Sequence, residues 1–208
     1  EISPTGSRLV LDYRGDIITV PSEKGDPRNI TLTASVHEKF PAWSPDGKNI
    51  AYFSDASGEY KLCIQAQDGR SEARYFTLPG TGFYAFPKWS PDSKKITFTD
   101  NGRNLYLLDV ASGSITKVDS DELYTPDQAR DMMNDWSSDS RWFVYTKITG
   151  TYFSQIYLYS LAQGKSFAVT DGLSDASEPV FERGGRYIYF FGSTDAGPAR
   201  SGPIARPA

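Results

Sequence analysis

Short runs of mostly apolar residues return along the chain, each closed by a cluster of Pro, Gly, Asp, Ser or Asn. Ile50-Ala51-Tyr52-Phe53-Ser54 is followed by Asp55-Ala56-Ser57-Gly58, and Lys61-Leu62-Cys63-Ile64-Gln65 by Gln67-Asp68-Gly69-Arg70. Arg74-Tyr75-Phe76-Thr77-Leu78 runs into Pro79-Gly80. Runs this short, rich in β-branched and aromatic residues and stopped by turn formers, predict strands and not helices. The same reading gives strands at 9–11, 17–20 and 29–32, at 96–99, 105–108 and 115–118, at 143–146, 155–159 and 167–170, and at 187–191. Several are apolar at consecutive positions instead of alternating, the pattern of a strand covered on both faces.

The strands are organised by a repeat. Pro41-Ala42-Trp43-Ser44-Pro45-Asp46-Gly47-Lys48 returns as Pro87-Lys88-Trp89-Ser90-Pro91-Asp92-Ser93-Lys94. A weaker copy is Asn134-Asp135-Trp136-Ser137-Ser138-Asp139-Ser140-Arg141, and a degenerate one is Pro179-Val180-Phe181-Glu182-Arg183-Gly184-Gly185-Arg186. Ile2-Ser3-Pro4-Thr5-Gly6-Ser7-Arg8 is a truncated copy at the start. With Ile2, Trp43, Trp89, Trp136 and Phe181 taken as equivalent, the spacings are 41, 46, 47 and 45 residues. In the fullest copy Pro45 presets φ, the Asp46 carboxylate can accept nearby backbone N–H groups, and Gly47 tolerates positive φ, so a tight turn is expected there.

Four strands in a unit of this length are the mark of a β-propeller blade. The expected fold is all-β, a β-propeller of four-stranded antiparallel blades. Blades are expected near 1–34, 35–80, 81–120, 130–172 and 173–195, with a Gly/Pro-rich linker or disordered tail at 196–208. The first has almost no room for an innermost strand and the last holds only two, so about four and a half blades are expected, an incomplete ring. Trp43, Trp89 and Trp136 are expected to plug the space between neighbouring blades, with Asp46, Asp92 and Asp139 holding the turns. The open surfaces of such an arc, above all the strand through Tyr189-Phe190-Phe191, are expected to be covered by the remainder of a parent chain or by a second copy in a homo-oligomer.

Composition narrows the chemistry. A formal net charge of −4 leaves no basic footprint for nucleic acid or an anionic membrane surface. No apolar stretch approaches the length of a membrane-spanning helix. One cysteine, Cys63, and one histidine, His37, exclude a disulfide framework and a multi-histidine or multi-cysteine metal site. No cofactor is expected, and the compartment, cytoplasmic or periplasmic, stays open.

The Trp-Ser-Pro-Asp-Gly-Lys turn followed by Ile50-Ala51-Tyr52-Phe53-Ser54-Asp55 resembles the WD40-like repeats of the TolB and tricorn protease propellers. Three longer strings look like bacterial tricorn-like peptidases: Ile17 to Thr31, Val36 to Gly47, and Thr170-Asp171-Gly172-Leu173-Ser174-Asp175-Ala176. The resemblance spans residues 1 to about 198. It implies a non-catalytic propeller that gates or conducts peptide substrates, or serves assembly, beside a separate serine peptidase core. The family's catalytic serine, histidine and glutamate have no matching motif here, so no catalytic residue is carried over. A free-standing TolB-like scaffold that binds a protein partner is the alternative, and a glycan or small-ligand lectin a third.

Few residues invite a sharper reading. His37 precedes an innermost strand, near the expected channel; Glu38 adjoins it but should point to the opposite face. Pro79 to Phe86 carries Phe83, Tyr84 and Phe86, which could contact a peptide or stack a sugar, or pack on the next blade. Cys63 lies within an apolar strand and reads as a small buried hydrophobe. Asp119, Asp121, Glu122, Asp127, Asp131 and Asp135 crowd one inter-blade loop, but their spacing does not match the calcium-binding Asp-x-Asp-x-Asp-Gly loop, and a solvated loop is expected.

Overall fold

A computed structural model describes residues 1–123, 131–132 and 135–193. All regular structure among them is antiparallel β, in five sheets of two to four strands. They fall into two compact units, one built on Glu1–Ser120 together with 131–132 and the turn Ser138–Ser140, the other on Asp121–Leu123, 135–137 and 141–193.

The first unit holds three sheets. β1 (Arg8–Tyr13), β2 (Asp16–Pro21) and β3 (Arg28–Asn29) form the first. β4 (Glu38–Trp43), β5 (Asn49–Ser54), β6 (Lys61–Ala66) and β7 (Arg74–Thr77) form the second, and β8 (Tyr84–Trp89), β9 (Lys95–Asp100), β10 (Asn104–Asp109) and β11 (Ile115–Ser120) the third. The second unit holds β12 (Asp135–Trp136), β13 (Trp142–Ile148), β14 (Ser154–Ser160) and β15 (Lys165–Ala168), followed by β16 (Ala176–Phe181) and β17 (Ile188–Gly192). Each strand pairs with its sequence neighbour, so the sheets of three and four strands are meanders, the blades of a propeller, and β16–β17 is a hairpin.

The register repeats with the sequence. Ile2 bridges Leu9, Trp43 faces Ile50, Trp89 faces Ile96, Trp136 faces Phe143 and Phe181 faces Ile188. The Ile2 bridge is the remnant of the innermost strand that the first sheet lacks. After each of these residues the next N–H closes a turn across five residues, as in Ser44 N to Asn49 O at 2.9 Å and Ser90 N to Lys95 O at 2.9 Å. The hydroxyls of Ser44 and Ser90 donate to Asp46 and Asp92 at 2.6 Å, and those carboxylates accept the N–H of Lys48 and Lys94. Gly47, Ser93 and Ser140 occupy the same left-handed position, with φ of 70°, 59° and 58°. At the two serine positions the hydroxyl also joins successive turns: Asp46 N donates to Ser93 Oγ at 3.2 Å, and Asp92 N to Ser140 Oγ at 3.0 Å.

The alternation of side chains along β5 and β6 explains why those strands are apolar throughout. Ile50, Tyr52 and Cys63 join Val10, Ile17, Ile30 and Trp43 in the layer between the first and second sheets. Ala51, Phe53, Leu62 and Ile64 face the other way and join Trp89, Ile96, Phe98, Tyr106 and Leu108 between the second and third. Trp43 and Trp89 are 5% and 7% exposed. In the second unit Trp136 is buried against Phe143, with ring centroids 5.0 Å apart. On β17 and just before it, Tyr187, Tyr189, Phe190 and Phe191 are exposed. The tail expected at 196–208 lies outside the described residues.

Candidate functional site

The innermost strands carry a feature beyond the repeat itself. Phe40, Phe86 and Glu178 each sit three residues before the plug residue of their sheet, each precedes a proline, and each has positive φ, 54°, 56° and 54°. Pairing with the next strand slips at each of these places, between Lys39 and Ala42, Ala85 and Lys88, and Ser177 and Val180. These are β-bulges, which re-aim side chains at the rims of sheets. The left-handed conformation is costly for Phe and disfavoured before proline, and such strain gathers at functional sites. Phe40 and Phe86 turn toward each other, with ring centroids 5.4 Å apart. The x-Pro dipeptides at 40–41, 86–87 and 178–179 are the sequence signal for this feature, which strand patterning alone passes over.

Beside the β4 bulge, the first unit gathers an exposed aromatic patch. His37 is exposed, its N–H donates to Asp55 Oδ1 at 2.7 Å, and its Nδ1 lies 3.5 Å from the Tyr60 hydroxyl. The Tyr60 ring lies 5.9 Å from that of Phe83, which is 60% exposed. Phe83 is held by two bonds to Asn101, its N–H donating to Asn101 Oδ1 at 3.1 Å and its carbonyl accepting Asn101 N at 2.9 Å. A pocket of about 260 Å³ adjoins His37, walled by Asp12, Arg14 and Lys39 among others. Of the residues singled out from the sequence, His37 and Phe83 thus meet in one exposed patch through Tyr60, while Phe86 packs on Phe40. Tyr84 does not join the patch: its neighbours on the strand alternate faces, and its ring is 5% exposed among Phe53, Phe98 and Tyr106, with its hydroxyl donating to Gly80 O at 3.1 Å. Tyr60 has no motif around it and emerges only from the fold.

Asp46 and Asp92 are occupied by their turns as described, and Asp139 is exposed in the equivalent turn. In the acidic segment Asp127 lies outside the described residues. Asp119, Asp121, Glu122 and Asp135 each accept a backbone N–H, and Glu122 also pairs with Lys147 at 3.2 Å. Cys63 is fully buried, and burial, followed by the charge of Glu38, pushes its thiol up to about 12. Such a thiol is protonated at neutral pH and poorly nucleophilic.

Glu38, which the sequence marks only as the neighbour of His37, is the unusual acid. It is 2% exposed; Oε1 accepts the Thr33 hydroxyl at 2.9 Å and Oε2 makes no hydrogen bond. Burial raises its pKa above the ordinary glutamate value of 4.5, the nearby hydroxyls of Thr31 and Thr33 oppose the rise, the Asp16 charge adds to it, and the Ser54 hydroxyl opposes it further. The raised value means that folding penalises the charged carboxylate relative to the unfolded chain. Stability from this group is therefore complete below the ordinary glutamate range and lost as pH climbs through the raised value. Glu38→Gln, which stays neutral, is expected to raise the melting temperature at neutral pH and to leave it nearly unchanged near pH 4.5, as read by thermal melts at the two pH values. Equal effects at both would show that desolvation does not govern this carboxyl.

The chain matches the family described as the tricorn protease second beta propeller domain over residues 1–202. A protein of Sulfurisphaera tokodaii named as a tricorn-like protease C-terminal subunit is 31% identical over 198 residues, a match covering 95% of this chain. The chain spans only 17% of that relative's length. The crystal structure of the tricorn protease superposes with a TM-score of 0.75 at 16% identity, covering 90% of this chain and 18% of that one. TolB from Acinetobacter baumannii gives 0.58 at 23% identity, over 91% of this chain and 45% of the other. Kuenenia stuttgartiensis hydrazine synthase gives 0.63 at 17% identity, over 99% and 57%. Likeness at such identities speaks for the fold alone, and these proteins of different names share it. The match along almost the whole sequence is more specific, and it agrees with the meandering sheets and their repeated register: the chain belongs to the tricorn protease second beta propeller domain family.

Proposed function

We propose that this chain is the non-catalytic propeller of a tricorn-like serine peptidase and that it guides peptide substrates across the rim formed by His37, Tyr60 and Phe83. The observation that carries this reading is the aromatic patch itself. Two aromatic rings and an imidazole stand together beside strained bulges on the innermost strands, and one of the rings is largely exposed. Such a surface offers flat apolar contact to many peptide side chains, and Asp55 and the imidazole beside it supply polar contacts to backbone. Nothing in it combines a nucleophile with a base and an orienting acid, so the chemistry is assigned to a separate part of the parent protein.

The test is binding of fluorescein-labelled unfolded peptides to the 208-residue chain by anisotropy. Phe83→Ala is expected to weaken binding about tenfold, since loss of one aromatic contact of roughly 1–1.5 kcal/mol corresponds to that factor. Phe83 is exposed, so the variant should fold normally. Unaltered peptide affinity in Phe83→Ala would remove the rim as the contact, and cleavage of the peptides that survives purification would overturn the non-catalytic assignment.

A further inference from the structure

A second cavity, of about 310 Å³, lies between the first and second sheets and is separate from the aromatic rim. Its walls come from five places in the chain. Thr31 and Thr33 follow β3, Glu38 opens β4, Tyr52 and Gln65 lie on β5 and β6, and Tyr75 stands on β7. Glu38, Tyr52 and Gln65 are 2%, 2% and 8% exposed, so the inner walls are fixed by the packed layer behind them. Tyr75 is 53% exposed and Glu72 is exposed, which places the mouth at their end.

The polar atoms are arranged as acceptors. Thr33 spends its proton on Glu38 Oε1 at 2.9 Å. Tyr52 spends its own on Gln65 Oε1 at 2.9 Å, and Gln65 Nε2 donates to Ser71 O at 3.0 Å. Glu38 Oε2 is left without a hydrogen bond, and neither lysine nor arginine lines the cavity. A buried carboxylate oxygen without a donor is costly, so a ligand that brings donors and positive charge recovers that energy.

We infer that this cavity is a binding site for a primary ammonium group, such as a lysine side chain or the amino terminus of a peptide. The donor requirements select among cations. A guanidinium prefers two carboxylate oxygens side by side, but Oε1 of Glu38 is already taken. A divalent metal needs more carboxylates, and no cluster of three or more acidic, His or Cys ligands occurs among the described residues. An ammonium carries three donors in a compact head, suited to one open carboxylate oxygen and neutral hydroxyl oxygens. The rings of Tyr52 and Tyr75 can shield the charge by cation–π attraction, and Glu72 at the mouth favours the approach of a cation. The inference does not depend on the identity of the parent protein or on the peptide rim.

The experiment is titration of the 208-residue chain with n-butylammonium chloride, followed by isotope-edited NMR, with n-butanol at the same concentrations as the uncharged control. Saturable, millimolar binding is expected for the amine alone, with shifts confined to the cavity and not to Phe83. Glu38→Gln is expected to weaken it about tenfold or more, the scale of a lost charged hydrogen bond, and Tyr75→Ala, an exposed position that should not disturb folding, by a few-fold. Lack of saturation by the amine, equal binding of butanol, or binding unaffected by both substitutions would overturn the site. Phe83→Ala should leave amine binding intact, so failure of the peptide rim and failure of this cavity are told apart.

Discussion

Trp89→Ala is expected to destabilise the first unit by roughly 3–5 kcal/mol, the usual cost of emptying a buried aromatic site. Trp89 is 7% exposed and sits in the layer that also holds Phe53, Phe98, Tyr106 and Leu108, where Phe98 meets Phe53 edge-on at 5.8 Å and stacks on Tyr106 at 5.3 Å between ring centroids. An indole-sized void there does not fill by a local shift, because β9, the strand that pairs with β8, is hydrogen-bonded on both sides. The three repeated tryptophans are not equal, however. Trp89 Nε1 donates to Ala42 O at 3.1 Å, joining the second and third sheets, whereas Trp43 Nε1 and Trp136 Nε1 are buried with no acceptor among the described residues. Substitution by Phe separates ring burial from the N–H. Trp89→Phe loses a hydrogen bond, while Trp43→Phe and Trp136→Phe remove an unsatisfied donor, so Trp89→Phe should be the costlier by about 1 kcal/mol or more. Urea denaturation curves for the three Phe variants check this. An equal cost at all three positions would mean that the Trp89 bond adds nothing to the repeat.

The contrast shows what could be read from the chain alone. The repeat of Trp-Ser-Pro-Asp announces itself because each copy solves the same local problem, closing a turn and filling a gap, and chemistry that is needed in every blade recurs at the blade's period. The all-β propeller fold and its family resemblance followed from those residues. The site is different in kind. His37 and Phe83 could be picked out as a lone imidazole and a loop aromatic, but Tyr60, which lies between them, stands in an ordinary strand-flanking position. Glu38 looks like any solvated glutamate until β4 pairs with β5 and turns it inward opposite Ser54. Burial of a single acid leaves no sequence pattern, because it depends on which face of a bulged strand a residue lands on. The bulges themselves had a signal in the repeated x-Pro before the plug position. Proline lacks a ladder donor, and its return at one register marks where pairing must slip.

Gly15→Ala is expected to cost roughly 2–4 kcal/mol, well above the same change at Gly58. The two glycines occupy equivalent hairpins, between β1 and β2 and between β5 and β6, and have nearly the same φ, 93° and 88°. The penalty for placing an L side chain in that conformation is therefore common to both, and their difference isolates the surroundings. A Cβ at Gly58 meets nothing within 4 Å, whereas at Gly15 it lands 2.7 Å from Val36 O and 3.6 Å from the His37 ring. A backbone carbonyl cannot swing aside as a flexible side chain can, so the segment 36–38 must move. That segment is anchored by Glu38 N donating to Gly15 O at 2.9 Å, and it carries both the rim histidine and the buried acid. Gly15→Ala should thus weaken peptide binding at the rim and ammonium binding in the cavity together, while Gly58→Ala should weaken neither and cost about 1 kcal/mol. Chemical denaturation of the two variants, with the two binding titrations repeated on each, decides the matter: equal stability losses would show that the first hairpin does not approach the β4 entry closely enough to hold it.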